Sequence, residues 1–299
     1  MVKKPIFPGI IAPLITPFTK EEILDEKTFR SEVKYLLNTG IHGISPGGST
    51  GEGELIRDEE LVRMVEIIQE ENFKKIPVVA GVIRTSTRDA IRIAIAVKKA
   101  GATALMITPI QYLGGADSNG NYEYYDRISD AVGLPIIIYN VVSQNEIKPD
   151  LFYKMLDIEN VIGIKQTNGG VSAFLEMMMT CGKKGSIYSA SNEMLYTTFD
   201  LGATGAIATV LTLFPKIAVE IWDAVKAGDS ARAKALQAKI YPVWNKIKGP
   251  QFPRRIKEAL SQMGRSVGNA ASPRSAASST EKECIRRALQ QLNSYKYFK

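Results

Sequence analysis

Three short stretches of this chain hold side chains suited to carbonyl chemistry. The first is Asn160-Val161-Ile162-Gly163-Ile164-Lys165-Gln166-Thr167-Asn168, in which a lysine ends an apolar run. Lysine is seldom fully buried, and removal from water lowers its pKa because desolvation penalises the charged form. A neutral amine is what attack on a ketone carbon requires. The same spacing also fits a lysine whose head group reaches solvent from a strand end. The second stretch, Leu134-Pro135-Ile136-Ile137-Ile138-Tyr139-Asn140, ends on a tyrosine. A phenol beside a carbinolamine can carry its protons, and a core tyrosine with its hydroxyl at the rim has the same signature. The third is Gly47-Gly48-Ser49-Thr50-Gly51-Glu52-Gly53. Glycines let backbone approach a ligand, consecutive N–H groups cradle an anion, and Ser49 and Thr50 add hydroxyls. A carboxylate suits such a loop, and an ordinary glycine-rich connection reads alike. The Gly-Lys-Ser/Thr ending of a nucleotide-phosphate loop is missing.

The elements that must hold these residues follow from the apolar pattern. Strands are expected at residues 9–16, 43–46, 78–82, 104–108, 135–140, 161–166, 186–189 and 205–209. Amphipathic helical stretches follow them at 26–38, 58–71, 87–100, 121–132, 149–156, 171–180, 192–201 and 215–227. Strict alternation implies parallel strands with helical crossovers, and eight units imply a closed (β/α)8 TIM barrel. Further helices are expected near 230–248, 253–263 and 280–293, with a surface connection at 268–279. The chain therefore divides into a barrel over 1–229 and a C-terminal helical extension of the same domain over 230–299. In such barrels the active site lies at the C-terminal strand ends, where Tyr139 and Lys165 stand.

Composition narrows the function classes. The chain has 299 residues, of which 45% are hydrophobic and 23% charged, the balance of a soluble protein with a sizeable core. Residues 246–299 carry twelve Lys/Arg against three Asp/Glu, a net of +9, so the rest of the +7 chain sums to −2. Such a segment suits either a solvated helical face or an anionic partner. No RNA-binding aromatic motif or zinc-finger spacing supports a nucleic-acid partner. Lys3 and Lys4 precede an apolar run from Ile6 to Phe18 that mimics a signal peptide, but Pro5, Pro8, Pro13 and Pro17 interrupt it. No run reaches the roughly 20 apolar residues that span a bilayer, so no membrane partner and a cytoplasmic location are expected. Cys181 and Cys284 form no disulfide framework. His42 is the lone histidine, so no metal site is expected, and no dinucleotide-binding signature is present.

The stretches Gly48-Ser49-Thr50-Gly51-Glu52, Tyr139-Asn140-Val141 and Gly163-Ile164-Lys165-Gln166-Thr167, in this order and with Thr108-Pro109, resemble the dihydrodipicolinate synthase/N-acetylneuraminate lyase superfamily of Schiff-base aldolases over about residues 7–265. The resemblance implies that Lys165 is the Schiff-base lysine, Tyr139 the proton shuttle, and Gly48, Ser49 and Thr50 the carboxylate site, with Thr50 relaying protons. It implies that the Ile207 carbonyl lines the site. It also implies a homotetramer built from dimers, and no cofactor beyond the covalent lysine adduct.

Departures from the dihydrodipicolinate synthase pattern concern the second substrate. Two tyrosines follow Thr-Pro in that pattern; Ile110 and Gln111 stand here, and Tyr112 comes one step late. Gln144 falls where an arginine receives the aldehyde's carboxylate, and Val142 where a proline follows Tyr-Asn-Val. Asp58 and Leu61 lie near the positions of the histidines of a lysine-feedback site. The expected function is a class I lyase that joins or cleaves a pyruvate-like 2-oxo acid and an aldehyde. The alternatives are a 2-keto-3-deoxy sugar-acid aldolase or dehydratase and, in another class, a non-catalytic barrel that binds small acids.

Overall fold

A computed structural model describes residues 7–292. Lys3, Lys4, Pro5, Ile6 and Asn293, named above, lie outside them, as do Lys296 and Lys299 of the basic segment. Eight parallel strands form the barrel: β1 (Gly9–Pro13), β2 (Gly43–Ser45), β3 (Val79–Val82), β4 (Ala104–Ile107), β5 (Ile136–Asn140), β6 (Val161–Gln166), β7 (Ser186–Ser189) and β8 (Gly205–Ala206). The sheet order is β2-β1-β8-β7-β6-β5-β4-β3. A parallel bridge between Ile44 and Val78, with the Ile44 N–H 3.0 Å from the Pro77 carbonyl, closes the gap between β2 and β3. The expected (β/α)8 barrel is therefore the architecture observed.

Alternation sorts the strand side chains into two cores. Ile11, Val79, Ala104, Met106, Ile137, Tyr139, Ile162, Tyr188 and Ile207 pack together inside the barrel. Ile10, Ala12, Ala80, Leu105, Ile107, Ile136 and Ile138 face outward, against the helices. Those helices are α1 (Glu26–Leu37), α2 (Asp58–Glu71), α3 (Thr87–Lys99), α4 (Ser118–Val132), α5 (Pro149–Met155), α6 (Gly170–Cys181), α7 (Leu195–Asp200), α8 (Val210–Leu213) and α9 (Pro215–Lys226). Helix α4 begins three residues before the expected start. The Asp117 side chain accepts from the Gly120 N–H, and this cap outweighs the poor helix propensity of Ser118-Asn119-Gly120. Helix α7 begins three residues late, because Asn192 and Glu193 commit their side chains to the Val210 N–H and the Trp244 indole. Strand β8 is shorter than expected: the chain turns after Ala206 and forms α8, which the apolar pattern did not separate from the strand.

Helices α10 (Ser230–Ile247), α11 (Phe252–Gln262) and α12 (Ser279–Gln291) follow among the described residues. Ile240, Val243, Ile247, Ile256, Leu260 and Ile285 join the same hydrophobic cluster as the outer barrel residues. The basic character of this region has a structural use. Arg254 and Arg255 pair with Glu281, Lys282 with Glu258, and Arg286 and Arg287 with Glu283. Lys257, Arg265 and Arg274 turn inward, onto Glu52, Glu32 and the Glu52–Glu54 pair. Among the described residues no helix is long and apolar enough to cross a membrane.

Arg265 locks the C-terminal segment onto α1. Its guanidinium meets both Glu32 oxygens, at 3.2 and 2.5 Å, and donates to the Thr212 carbonyl at 2.9 Å. Glu32 is buried, so removal of Arg265 strands a carboxylate without a counter-charge. Arg265→Met is expected to lower stability by about 3–5 kcal/mol in urea denaturation, and Arg265→Met/Glu32→Leu to recover most of that loss. A single variant within about 0.5 kcal/mol of the parent would show that Glu32 is solvated without its partner.

Candidate active site

Strands β5 and β6 set the reactive pair. They run in parallel register with Tyr139 opposite Lys165. Inward and outward side chains alternate along β5, which turns Ile137 and Tyr139 into the barrel. On β6 the inward residue is Ile162, and simple alternation from it would turn Ile164 in and Lys165 out. One extra residue in β6 prevents this: Ile136 faces Val161, whereas Ile137 faces Gly163. Such an irregularity re-aims the side chains beyond it. Ile164 thereby joins the outer core, and Lys165 enters the barrel mouth.

The environment then acts on the amine. Lys165 is 5% exposed, and its Nζ lies 3.7 Å from the centroid of the Tyr139 ring. Burial pushes its pKa below the ordinary lysine value of 10.5, while Tyr139 acts in the opposite direction. Lysine in this setting holds a larger neutral fraction at neutral pH than lysine in water, and only the neutral form has a lone pair to donate.

The glycine-rich stretch forms a 3-10 turn, Ser49–Gly51, behind β2. Its glycines serve the loop's own packing. A Cβ at Gly53 would lie 1.9 Å from the Gly47 carbonyl oxygen, so the loop closes on itself only without a side chain there. The Gly48 carbonyl accepts from the Gly51 and Gly53 N–H groups, at 2.9 and 3.1 Å. At the start of a helical turn the first N–H groups have no partner within the turn and face whatever lies ahead. The Tyr139 hydroxyl donates to Ser49 Oγ at 3.1 Å. The Thr50 hydroxyl meets Thr209 instead, with 3.0 Å between the two oxygens.

Lys165, Tyr139, Ser49 and Ile207 line one cavity of about 280 Å³, together with Thr167, Asn192, Thr209, Trp244 and Phe252. Thr50 stands one side chain behind it, through Thr209, and Gly48 serves as a backbone support. Gln144 and Tyr112 do not line this cavity. They line a larger one of about 760 Å³, with Gln111, Ser143, Thr85 and Thr108. Ser49, Val141 and Phe252 are walls of both, so the two adjoin. Sequence reasoning missed Asn192 and Thr209, although each is a polar residue just beyond an apolar strand and open to the inspection that found Tyr139. Trp244 and Phe252 come from the C-terminal helices, and the strand–helix pattern gives no signal for them. Among the described residues no group of three or more His, Cys, Asp and Glu is placed to hold a metal ion.

Comparison with known proteins agrees with this geometry. The model of the dihydrodipicolinate synthetase family matches residues 6–292. A 4-hydroxy-tetrahydrodipicolinate synthase from Thermodesulfovibrio yellowstonii is 32% identical, over 95% of this chain and 98% of its own. The chloride-inhibited dihydrodipicolinate synthase of Acinetobacter baumannii, solved with pyruvate, superposes with a TM-score of 0.91 at 29% identity, covering 96% of this chain and 99% of that one. YagE, an E. coli K12 prophage protein of the dihydrodipicolinic acid synthase family, also solved with pyruvate, gives a TM-score of 0.90 at 26% identity, with 96% and 99% covered. The barrel, the lysine–tyrosine pair at its mouth and a match across nearly the whole described chain lead to one conclusion: this protein belongs to the dihydrodipicolinate synthetase family.

Proposed function

We propose that this enzyme is a class I lyase in which Lys165 forms a Schiff base with pyruvate or a close 2-oxo acid. The buried Lys165 amine against the Tyr139 ring carries this reading. The amine lone pair attacks C2, and a proton passes from nitrogen to the former carbonyl oxygen to give the carbinolamine. A second proton on that oxygen lets it leave as water, giving an iminium. Tyr139 supplies and removes these protons, with Ser49 hydrogen-bonded to its hydroxyl. Ser49 and the leading N–H groups of the Ser49–Gly51 turn receive the substrate carboxylate. Thr50 supports the site through Thr209, and the Ile207 carbonyl faces the bound acid. Loss of a C3 proton gives an enamine that adds to an aldehyde, and the reverse sequence cleaves the product. The iminium is the electron sink, so no metal or organic cofactor is needed.

A neutral, hydroxylated aldehyde fits the adjoining cavity best. Gln111, Gln144, Ser143, Thr85 and Thr108 offer amides and hydroxyls there. These groups donate to and accept from sugar hydroxyls, whereas a carboxylate is better held by the planar fork of an arginine. A 2-keto-3-deoxy sugar-acid substrate is therefore the second reading of the same site. By its family resemblance we also propose a cytoplasmic homotetramer.

Borohydride with pyruvate, in buffer containing EDTA, is expected to leave a stable adduct on Lys165, and Lys165→Met to abolish it. A wild-type chain that traps no 2-oxo acid would return the protein to the class of non-catalytic binders. Stability should move the other way. Lys165 has a depressed pKa in the folded chain, so the unfolded chain binds more protons below about pH 10.5, and its burial costs stability there. Lys165→Met should therefore be more stable at pH 7, by a margin that shrinks as pH rises toward 10.5; an unchanged margin would mean that Lys165 stays charged when folded.

Tyr139→Phe keeps the ring against the amine and removes the proton carrier. Turnover is expected to fall by about 10²–10⁴-fold while single-turnover trapping on Lys165 persists; a variant with parental kcat would assign proton transfer elsewhere. Sedimentation equilibrium at micromolar concentration should give the mass of four chains, and an active monomer would contradict the assembly.

A further inference from the structure

We propose that Glu54 is a specificity residue of the larger cavity: by occupying the guanidinium of Arg274 it excludes aldehydes that carry a carboxylate and favours neutral ones. The inference rests on the Schiff-base reading and extends it to the acceptor substrate. Among the described residues, Arg274 is the one cation lining that cavity, and Glu54 the one anion. An arginine fork at such a wall would ordinarily be the receptor for an incoming carboxylate. Here both ends of the fork are taken. Nη1 lies 3.1 Å from Glu52 Oε2, and Nη2 is bound to Glu54 Oε1.

The two carboxylates are not equivalent. Glu52 is fully buried, pairs with Lys257 at 2.8 Å and accepts from the Ala271 N–H at 3.1 Å, so it is fixed. Lys257 is equally committed, because it also donates to the Thr16 and Asn269 carbonyls, each at 2.8 Å. Glu54 has a side chain 32% exposed and faces the cavity. The four groups sum to zero charge, and of them Glu54 and Arg274 line the cavity. An anionic acceptor would have to displace Glu54 from Arg274 and then share the cavity with the displaced carboxylate, which repels it. A hydroxylated acceptor disturbs none of these pairs and finds Gln111, Gln144 and Ser143 in the same cavity.

The test compares kcat/KM for pyruvate with glyceraldehyde, which is neutral, and with succinic semialdehyde, which carries a carboxylate. Wild type is expected to favour glyceraldehyde. Glu54→Gln and Glu54→Asn should each shift the ratio toward succinic semialdehyde by about tenfold or more, the scale of one hydrogen bond to a charged group. Glu54→Gln/Arg274→Met should lose that shift, because the freed guanidinium is what receives the carboxylate. A ratio unchanged in both single variants, or a shift that survives loss of Arg274, overturns the proposal. Calorimetric titration with succinate needs no turnover. Its Kd should fall by a similar factor in Glu54→Gln and return in the double variant, and an unchanged Kd counts against Glu54. This readout separates the two ideas: if no adduct forms on Lys165 the Schiff-base reading fails, while succinate binding still decides the role of Glu54.

Discussion

A lysine amine held out of water against the face of a tyrosine ring is the contact on which the rest of the site depends. Water would keep the amine protonated and inert, and burial removes the hydration that stabilises its charge. A barrel mouth can impose that burial because its walls are parallel strands whose backbone groups are satisfied by one another, so little competes for the amine. The pair also fixes the scale of the site. Lys165 lies against the Tyr139 ring, and the Tyr139 hydroxyl lies on Ser49, so the three side chains are held in one fixed arrangement.

The Ser49–Gly51 turn owes its shape to contacts from the far end of the chain. Glu52 follows the Ser49–Gly51 turn with a left-handed φ of 58°, a conformation that side chains rarely adopt. Its buried carboxylate is held by Lys257 and Arg274, which belong to the C-terminal region. Such a buried charge is costly unless fully partnered, and here the partners arrive from more than two hundred residues later in the chain. The same region sends Trp244 and Phe252 to wall the smaller cavity. The C-terminal helices thus wall part of the smaller cavity as well as cover the barrel.

The two adjoining cavities differ in their polar and charged groups. The smaller is walled mainly by apolar and hydroxyl groups around one buried amine, a setting that favours covalent attack on a carbonyl. The larger carries amides and hydroxyls, and among the described residues its charges, Glu54 and Arg274, are paired with protein groups. Basic residues of the C-terminal segment go to ion pairs with protein carboxylates, and Arg274 is one of these. A sequence count of positive charge therefore overstates what a ligand or partner would meet.

By itself the sequence determined the order of strands and helices, because period-2 and period-3.6 apolar patterns alternate clearly along it. It also determined that Tyr139 and Lys165 end neighbouring strands, since a polar residue closing an apolar run is a local signal. Helix starts shifted at Ser118 and Leu195, where capping and tertiary hydrogen bonds outweighed propensity. Only the tertiary structure decided which way Lys165 faces. One extra residue between Val161 and Gly163 turns it inward, and a strand pattern read as simple alternation has no means to register that insertion. Only the fold assigned Gln144 and Tyr112 to a second cavity and brought Thr209 against Thr50, because those placements depend on loops meeting across the barrel mouth. The Glu52–Lys257–Arg274 cluster belongs to the same class, for its charges are distant in sequence and become neighbours only when the C-terminal helices dock.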